Sequence, residues 1–313
     1  MKEIGGYFEL ECGHTPPYHA GAVPFNSARN ALRYIVRTYG IRQLYVPYYT
    51  CPVVWDALKA ENVQISFYSI DQNLEADAQN IPTDAFVLVN NYFGVKGKYI
   101  TRLAQKYPNL IVDNAQAFFA PKQGLAAFYS PRKFFGLPDG GLAICDKKAN
   151  KDFAQSTSFD LCAHLLKRHD VGASDAYADF QKNDATLVGQ PIQKMSKLTE
   201  ALMGNINYDL VRQKRLENFA VLHNALADKN ELKLDLSPDD VPMVYPFLTS
   251  ANGLREKLIQ NKVYVAQYWP EIELVCPADS FELYLQSHLL PLPMDQRYDV
   301  GDMNRILEII LCK

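Results

Sequence analysis

The chain has 313 residues, of which 48% are hydrophobic and 21% charged, with a formal net charge of −3. Apolar material on this scale supports a large core, since chains of this length bury roughly three quarters of their unfolded surface. The near-neutral balance, without a sustained Lys/Arg run, leaves no electrostatic footprint for nucleic acid. The opening stretch MKEIGGYFELE lacks the apolar centre of a secretory signal, and no uninterrupted apolar run is long enough to cross a bilayer. A cytoplasmic, non-membrane protein acting on small molecules is therefore expected.

In chain order, the pattern predicts a strand near 43–47, a helix over 51–61, strands at 63–69 and 85–91, and a helix over 97–106. Further strands follow at 109–113, 125–129 and 141–145. Alternation of short apolar runs with helical periods points to a mainly parallel sheet covered by helices. The last two strands flank Lys133 and are expected to pair antiparallel, with Asp139-Gly140-Gly141 supplying the turn. From Met195 to about Ala227 the pattern reads as one long helix leaving the large domain. Beyond Val241 a smaller α+β unit is expected. Six scattered cysteines, Cys12, Cys51, Cys145, Cys162, Cys276 and Cys312, include no C-x-x-C pair, which argues against a disulfide framework or a zinc ribbon. Cys12, His14 and His19 match no familiar metal spacing, and Pro16-Pro17 stiffens their loop, so no metal is expected.

The segment between Leu110 and Ile144 carries the chemistry. Asp113 follows the buried-strand run Leu110-Ile111-Val112, Gln116 lies three residues beyond it, and Lys133 follows a second short apolar strand. Pyridoxal 5'-phosphate needs a lysine to hold it as a Schiff base. It also needs a carboxylate against its ring nitrogen, so that the ring acts as an electron sink. Asp113 and Lys133 fit those roles, whereas Lys122, Lys147 and Lys148 lack the preceding strand and the Gly140-Gly141 spacing. The cofactor's phosphate needs anion donors. Ser27, Ala28 and Arg29, at the start of a helical pattern, would present backbone N–H groups, each contact worth roughly 0.3–1 kcal/mol. Ser27 or Asn26 is equally an N-cap, a role compatible with phosphate binding. Ser130 is a second hydroxyl donor candidate, or else a strand-end serine bonded to nearby backbone.

The ordered blocks FNSARNALRYI, LYVPYYTC, FVLVNNYFG, the Asp113 and Lys133 segments, RQKRLENF, VYPFL and LPLPMDQRY resemble the DegT/DnrJ/EryC1/StrS family of sugar aminotransferases. The resemblance implies an α/β, aspartate aminotransferase-like (fold type I) large domain over 1–195. A connecting helix over 196–227 and a small α+β domain over 228–313 would follow. It implies a homodimer that moves an amino group from glutamate to a nucleotide-linked keto sugar. In that reaction Lys133 shuttles the proton and Gln116 sits beside the cofactor. A residue packs on the ring face at the position of Cys51, and Tyr49, Tyr92 and Phe93 are pocket candidates. Three departures from the family stand out. The family's serine five residues before the lysine is Phe128 here, so a phosphate donor is lost unless Ser130 replaces it. Its Asn-x-Arg segment aligns with Ile192-Gln193-Lys194, where Lys194 keeps a positive charge towards substrate, and its leading helical segment is missing. A PLP-dependent dehydratase and a non-catalytic binding protein on the same scaffold are the alternatives.

Overall fold

Strands that are apolar on both faces must be covered on both faces, and this decides the architecture. The computed structural model describes residues 4–147 and 152–311, so Lys148 and Cys312 lie outside the described residues. The chain runs through β1 (Val23–Phe25), α1 (Ala28–Tyr39), β2 (Gln43–Pro47), α2 (Pro52–Lys59) and β3 (Gln64–Tyr68). It continues with β4 (Val87–Asn90), α3 (Gly97–Lys106), β5 (Leu110–Asn114), β6 (Ala126–Tyr129) and β7 (Gly141–Cys145). A helical hairpin of α4 (Ala163–Asp170) and α5 (Ala173–Thr186) precedes α6 (Lys197–Met203) and the long α7 (Tyr208–Leu226). The described chain closes with β8 (Tyr245–Leu248), α8 (Leu254–Gln260), α9 (Phe281–His288), β9 (Leu289–Leu292) and α10 (Val300–Leu311).

Seven strands form one sheet in the order β1-β7-β6-β5-β4-β2-β3. β3, β2, β4, β5 and β6 run parallel, and β7 pairs antiparallel with both β6 and β1. Every residue of β4, β5 and β6 is buried, as expected of central strands between helical layers. The α/β reading and the antiparallel pair flanking Lys133 hold. β8 and β9 form a separate antiparallel pair.

The span expected as one helix from Met195 to Ala227 is two. Residues 13–15 cross it at Gly204, where the Thr15 N–H donates to the Gly204 carbonyl at 2.9 Å. A Cβ on Gly204 would lie 2.3 Å from the Gly13 oxygen, so only glycine admits this crossing. Asn207 then restarts the helix, its Oδ1 accepting from the Leu210 N–H at 3.1 Å. α7 reaches from one core into another. Tyr208 and Val211 pack in the cluster around the large sheet, whereas Phe219, Leu222 and Leu226 pack with β8, β9, α8 and α10.

Candidate active site

Ligands of open α/β sheets bind outside the carboxyl ends of the strands. Here a cavity of about 350 Å³ opens at the ends of β5 and β6, between the starts of α1 and α2 and the α5 helix. Ser27, Ala28, Arg29, Cys51, Asp113, Ser130 and Lys133 all line it.

Asp113 forms the floor of the cavity. β5 is buried on both faces, so the carboxylate emerging near its end is only 9% exposed. Its Oδ1 accepts from the Ala115 N–H at 2.8 Å, and its other oxygen has no partner among the described residues. Burial pushes this carboxyl up to about 6, opposed by the positive charge of Lys133 and by the Ala115 N–H. A carboxylate held at such cost is stabilised by a cationic ligand atom placed against it. Cys51, the residue before α2, has its thiol pushed up by burial, with Lys133 acting in the opposite direction.

Lys133 ends a 3-10 turn, Pro131–Lys133, that follows β6 directly. Its side chain is exposed and makes no hydrogen bond or ion pair among the described residues. The turn itself is held from several sides. The Phe134 carbonyl accepts from Gln296 Nε2 at 2.7 Å, and Arg215 lies over the Phe134 ring with its guanidinium carbon 4.4 Å from the centroid. Asp139, at the far end of the same loop, accepts from Ser156 Oγ at 2.9 Å, Ser196 Oγ at 2.9 Å, the Ser196 N–H at 3.2 Å and Thr199 Oγ1. A buried carboxylate so fully satisfied fixes the loop geometry.

The start of α1 forms the opposite wall. Ser27 caps the helix, its Oγ accepting from the Asn30 N–H at 3.3 Å. β7 passes so close that a Cβ on Gly141 would lie 2.2 Å from the Ser27 carbonyl carbon. Only glycine permits that approach, which holds the first turn of α1 against the loop carrying Lys133. The Nε atoms of Arg29 and Arg132 are both buried and without acceptors among the described residues. The cavity thus offers a carboxylate at its base, a free primary amine, and donors lacking acceptors at one end. These features fit a flat, cationic-ringed, anionic-tailed group such as pyridoxal phosphate.

Other expected residues sit elsewhere. Gln116 does not line the cavity. Its Oε1 accepts from the Phe93 N–H at 2.9 Å, bracing a backbone at φ 58°, and its Nε2 is buried without a partner among the described residues. Tyr49, Tyr92 and Phe93 are core residues and line no part of the Asp113 cavity: the Tyr92 hydroxyl donates to the Tyr49 carbonyl at 2.7 Å, and the Tyr49 ring meets Trp269 edge-on. Lys194 pairs with the exposed Asp152 at 2.5 Å and lies outside the same cavity. The His19 Nε2 lies 2.5 Å from the Phe118 carbonyl, with the ring packed on Tyr129. Among the described residues no metal-ligating cluster occurs.

Sequence reasoning missed Arg132, Phe180 and Asp184, which also line the cavity. Arg132 adjoins Lys133 and was available to inspection. Phe180 and Asp184 lie on α5, some fifty residues downstream, and no local pattern marks them.

No family model matches the chain, and no curated protein matches it by sequence. Solved structures do. A DegT DnrJ EryC1 StrS aminotransferase from Brucella abortus is 15% identical with a TM-score of 0.61, covering 92% of this chain and 84% of its own. The aminotransferase TlmJ from Streptoalloteichus hindustanus is 14% identical with a TM-score of 0.64, over 92% and 84%. PseC of Helicobacter pylori, an aminotransferase involved in pseudoaminic acid biosynthesis, is 14% identical with a TM-score of 0.60, over 93% and 85%. The chain has the fold of these aminotransferases over nearly its whole length.

Proposed function

We propose that the protein is a pyridoxal phosphate-dependent aminotransferase acting on a keto sugar. The observation that carries this is the convergence of Asp113 and Lys133, from successive strand ends, on one cavity whose far wall is the start of α1. A Streptococcus pneumoniae protein of the same fold has been solved in PLP- and PMP-forms, which supports the choice of cofactor.

Bound pyridoxal phosphate supplies an electron sink for the pair of electrons released when a proton leaves the donor's α-carbon. The chain's residues do the rest. Lys133 is the amine that would hold the cofactor's aldehyde carbon. With the cofactor bound, its Nζ would carry the proton between the donor α-carbon and the cofactor's C4′. Asp113 would hold the ring nitrogen protonated, an interaction that would offset the cost of its own burial. Cys51, with Val53 and Val54 at the start of α2, gives the ring an apolar neighbour. Glutamate as donor, a nucleotide-linked keto sugar as acceptor, and a homodimer complete the reading. The exposed Phe159, Leu166 and Tyr177 around the α4–α5 hairpin favour a second copy. Phe128, an apolar lining residue, favours a second reading, a non-catalytic cofactor-fold binder.

The test is the visible absorption spectrum of protein purified with PLP, before and after borohydride, beside Lys133→Ala. A band that borohydride fixes onto Lys133 and that glutamate bleaches towards the pyridoxamine form is expected. A band without response to any amino donor would move the conclusion to the binder, and no band at all would remove the cofactor.

A further inference from the structure

Two guanidinium groups share the α1 end of the cavity, and among the described residues only Arg132 is paired with a carboxylate. Arg29, in the first turn of α1, spends one Nη1 hydrogen bond on the Leu187 carbonyl at 3.2 Å. Arg132, the residue before Lys133, reaches Asp184 Oδ1 only at 3.4 Å, and that carboxylate is half exposed. The Nε of each arginine is buried with no acceptor among the described residues, and a buried donor left unsatisfied destabilises the fold. The two charges are near enough to act on each other: Arg29 adds to burial in holding the Arg132 guanidinium below its ordinary range. Ser27 and Ser130 line the same cavity, whereas Phe128, beside them, offers no donor.

Such an arrangement is destabilised when empty and relieved by an anion with several oxygens. A planar guanidinium presents paired N–H donors that match phosphate geometry, and two of them with the α1 terminus suit a dianion better than a single carboxylate. We propose that Arg29 and Arg132 form a clamp for the phosphate of pyridoxal phosphate, built entirely from one chain. The proposal rests on the cofactor reading above and adds that the phosphate is held by arginine side chains and not by hydroxyls alone.

The test compares PLP with pyridoxal, which has the same aldehyde and ring but no phosphate. Both are titrated into apo protein and the borohydride-fixable absorbance is followed, for the wild type, Arg29→Gln, Arg132→Gln and Arg132→Lys. The wild type is expected to prefer PLP. Each Gln variant should lose that preference by about tenfold or more, with pyridoxal affinity nearly unchanged, and Arg132→Lys should lose an intermediate part because it keeps the charge without the fork. A preference unchanged in all three variants would overturn the clamp, as would a wild type that binds both ligands equally. If neither ligand gives a band, the cofactor reading fails separately. Inorganic phosphate then tests the clamp by itself: it should raise the thermal midpoint of the wild type by more than that of Arg132→Lys, and equal shifts in both would refute the site. Native circular dichroism of Arg132→Lys guards against loss of fold.

Discussion

Replacing Asp113 by asparagine separates what the carboxylate costs the fold from what it does for the ligand. The side chain keeps its volume and its acceptor for the Ala115 N–H, so the perturbation is confined to the charge. In the folded chain the carboxyl titrates near 6, against an ordinary value near 4 in the unfolded chain. The native state therefore binds the proton more tightly. Stability is fully present below about pH 4 and is lost as pH rises through about 6, by about 3 kcal/mol in total. Asp113→Asn removes that titration. Relative to the wild type, the apo variant should gain about 3 kcal/mol at pH 7.5, a rise of about 4 °C in Tm for a chain of this length, and gain nothing at pH 4. Thermal denaturation of both apo proteins at the two pH values checks this. Saturating PLP should reverse the order at pH 7.5, because asparagine offers no negative charge to a protonated ring nitrogen. Equal stabilisation at both pH values, or none at either, would refute the assignment of Asp113 as a carboxylate held at a cost for a cationic partner.

Gly141→Ala places a methyl group 2.2 Å from the Ser27 backbone. It should force β7 away from the start of α1 and weaken PLP binding by more than tenfold, while the far-UV circular dichroism stays near native; an unchanged Kd would show that this approach does not shape the site. Arg215 is 1% exposed, donating to Gln296 Oε1 at 2.9 Å and to the carbonyls of Pro242 and Met243 at 3.2 and 3.0 Å. Arg215→Met leaves those two carbonyls without a donor, so urea unfolding should show a loss of about 3 kcal/mol or more, which Arg215→Lys does not restore for want of the planar fork.

What the sequence determined is what depends on near neighbours along the chain. Val87–Asn90 and Leu110–Asn114 are apolar runs that only a doubly covered strand can bury, so the parallel sheet is written locally. Asp113 and Lys133 follow directly from such runs, and strand ends of a parallel sheet lie along one edge, so their shared location was legible too. The helix break at Gly204 was not, because nothing near Gly204 indicates that residues 13–15 will cross it. Gln116, three residues from Asp113, faces Phe93 because the strained turn after β4 requires an acceptor there. Tyr49 and Tyr92 are polar enough for a pocket, yet they close on each other, and Tyr49 also meets Trp269, which arrives from a segment more than two hundred residues further along the chain. Phe180 and Asp184 reach the cavity only because α5 folds back over it, and Arg132 meets Arg29 only because β7 draws the start of α1 against the Lys133 loop. Local periodicity sets which face of an element is apolar; which elements meet, and therefore which charges are left without partners, is decided by packing across the whole chain.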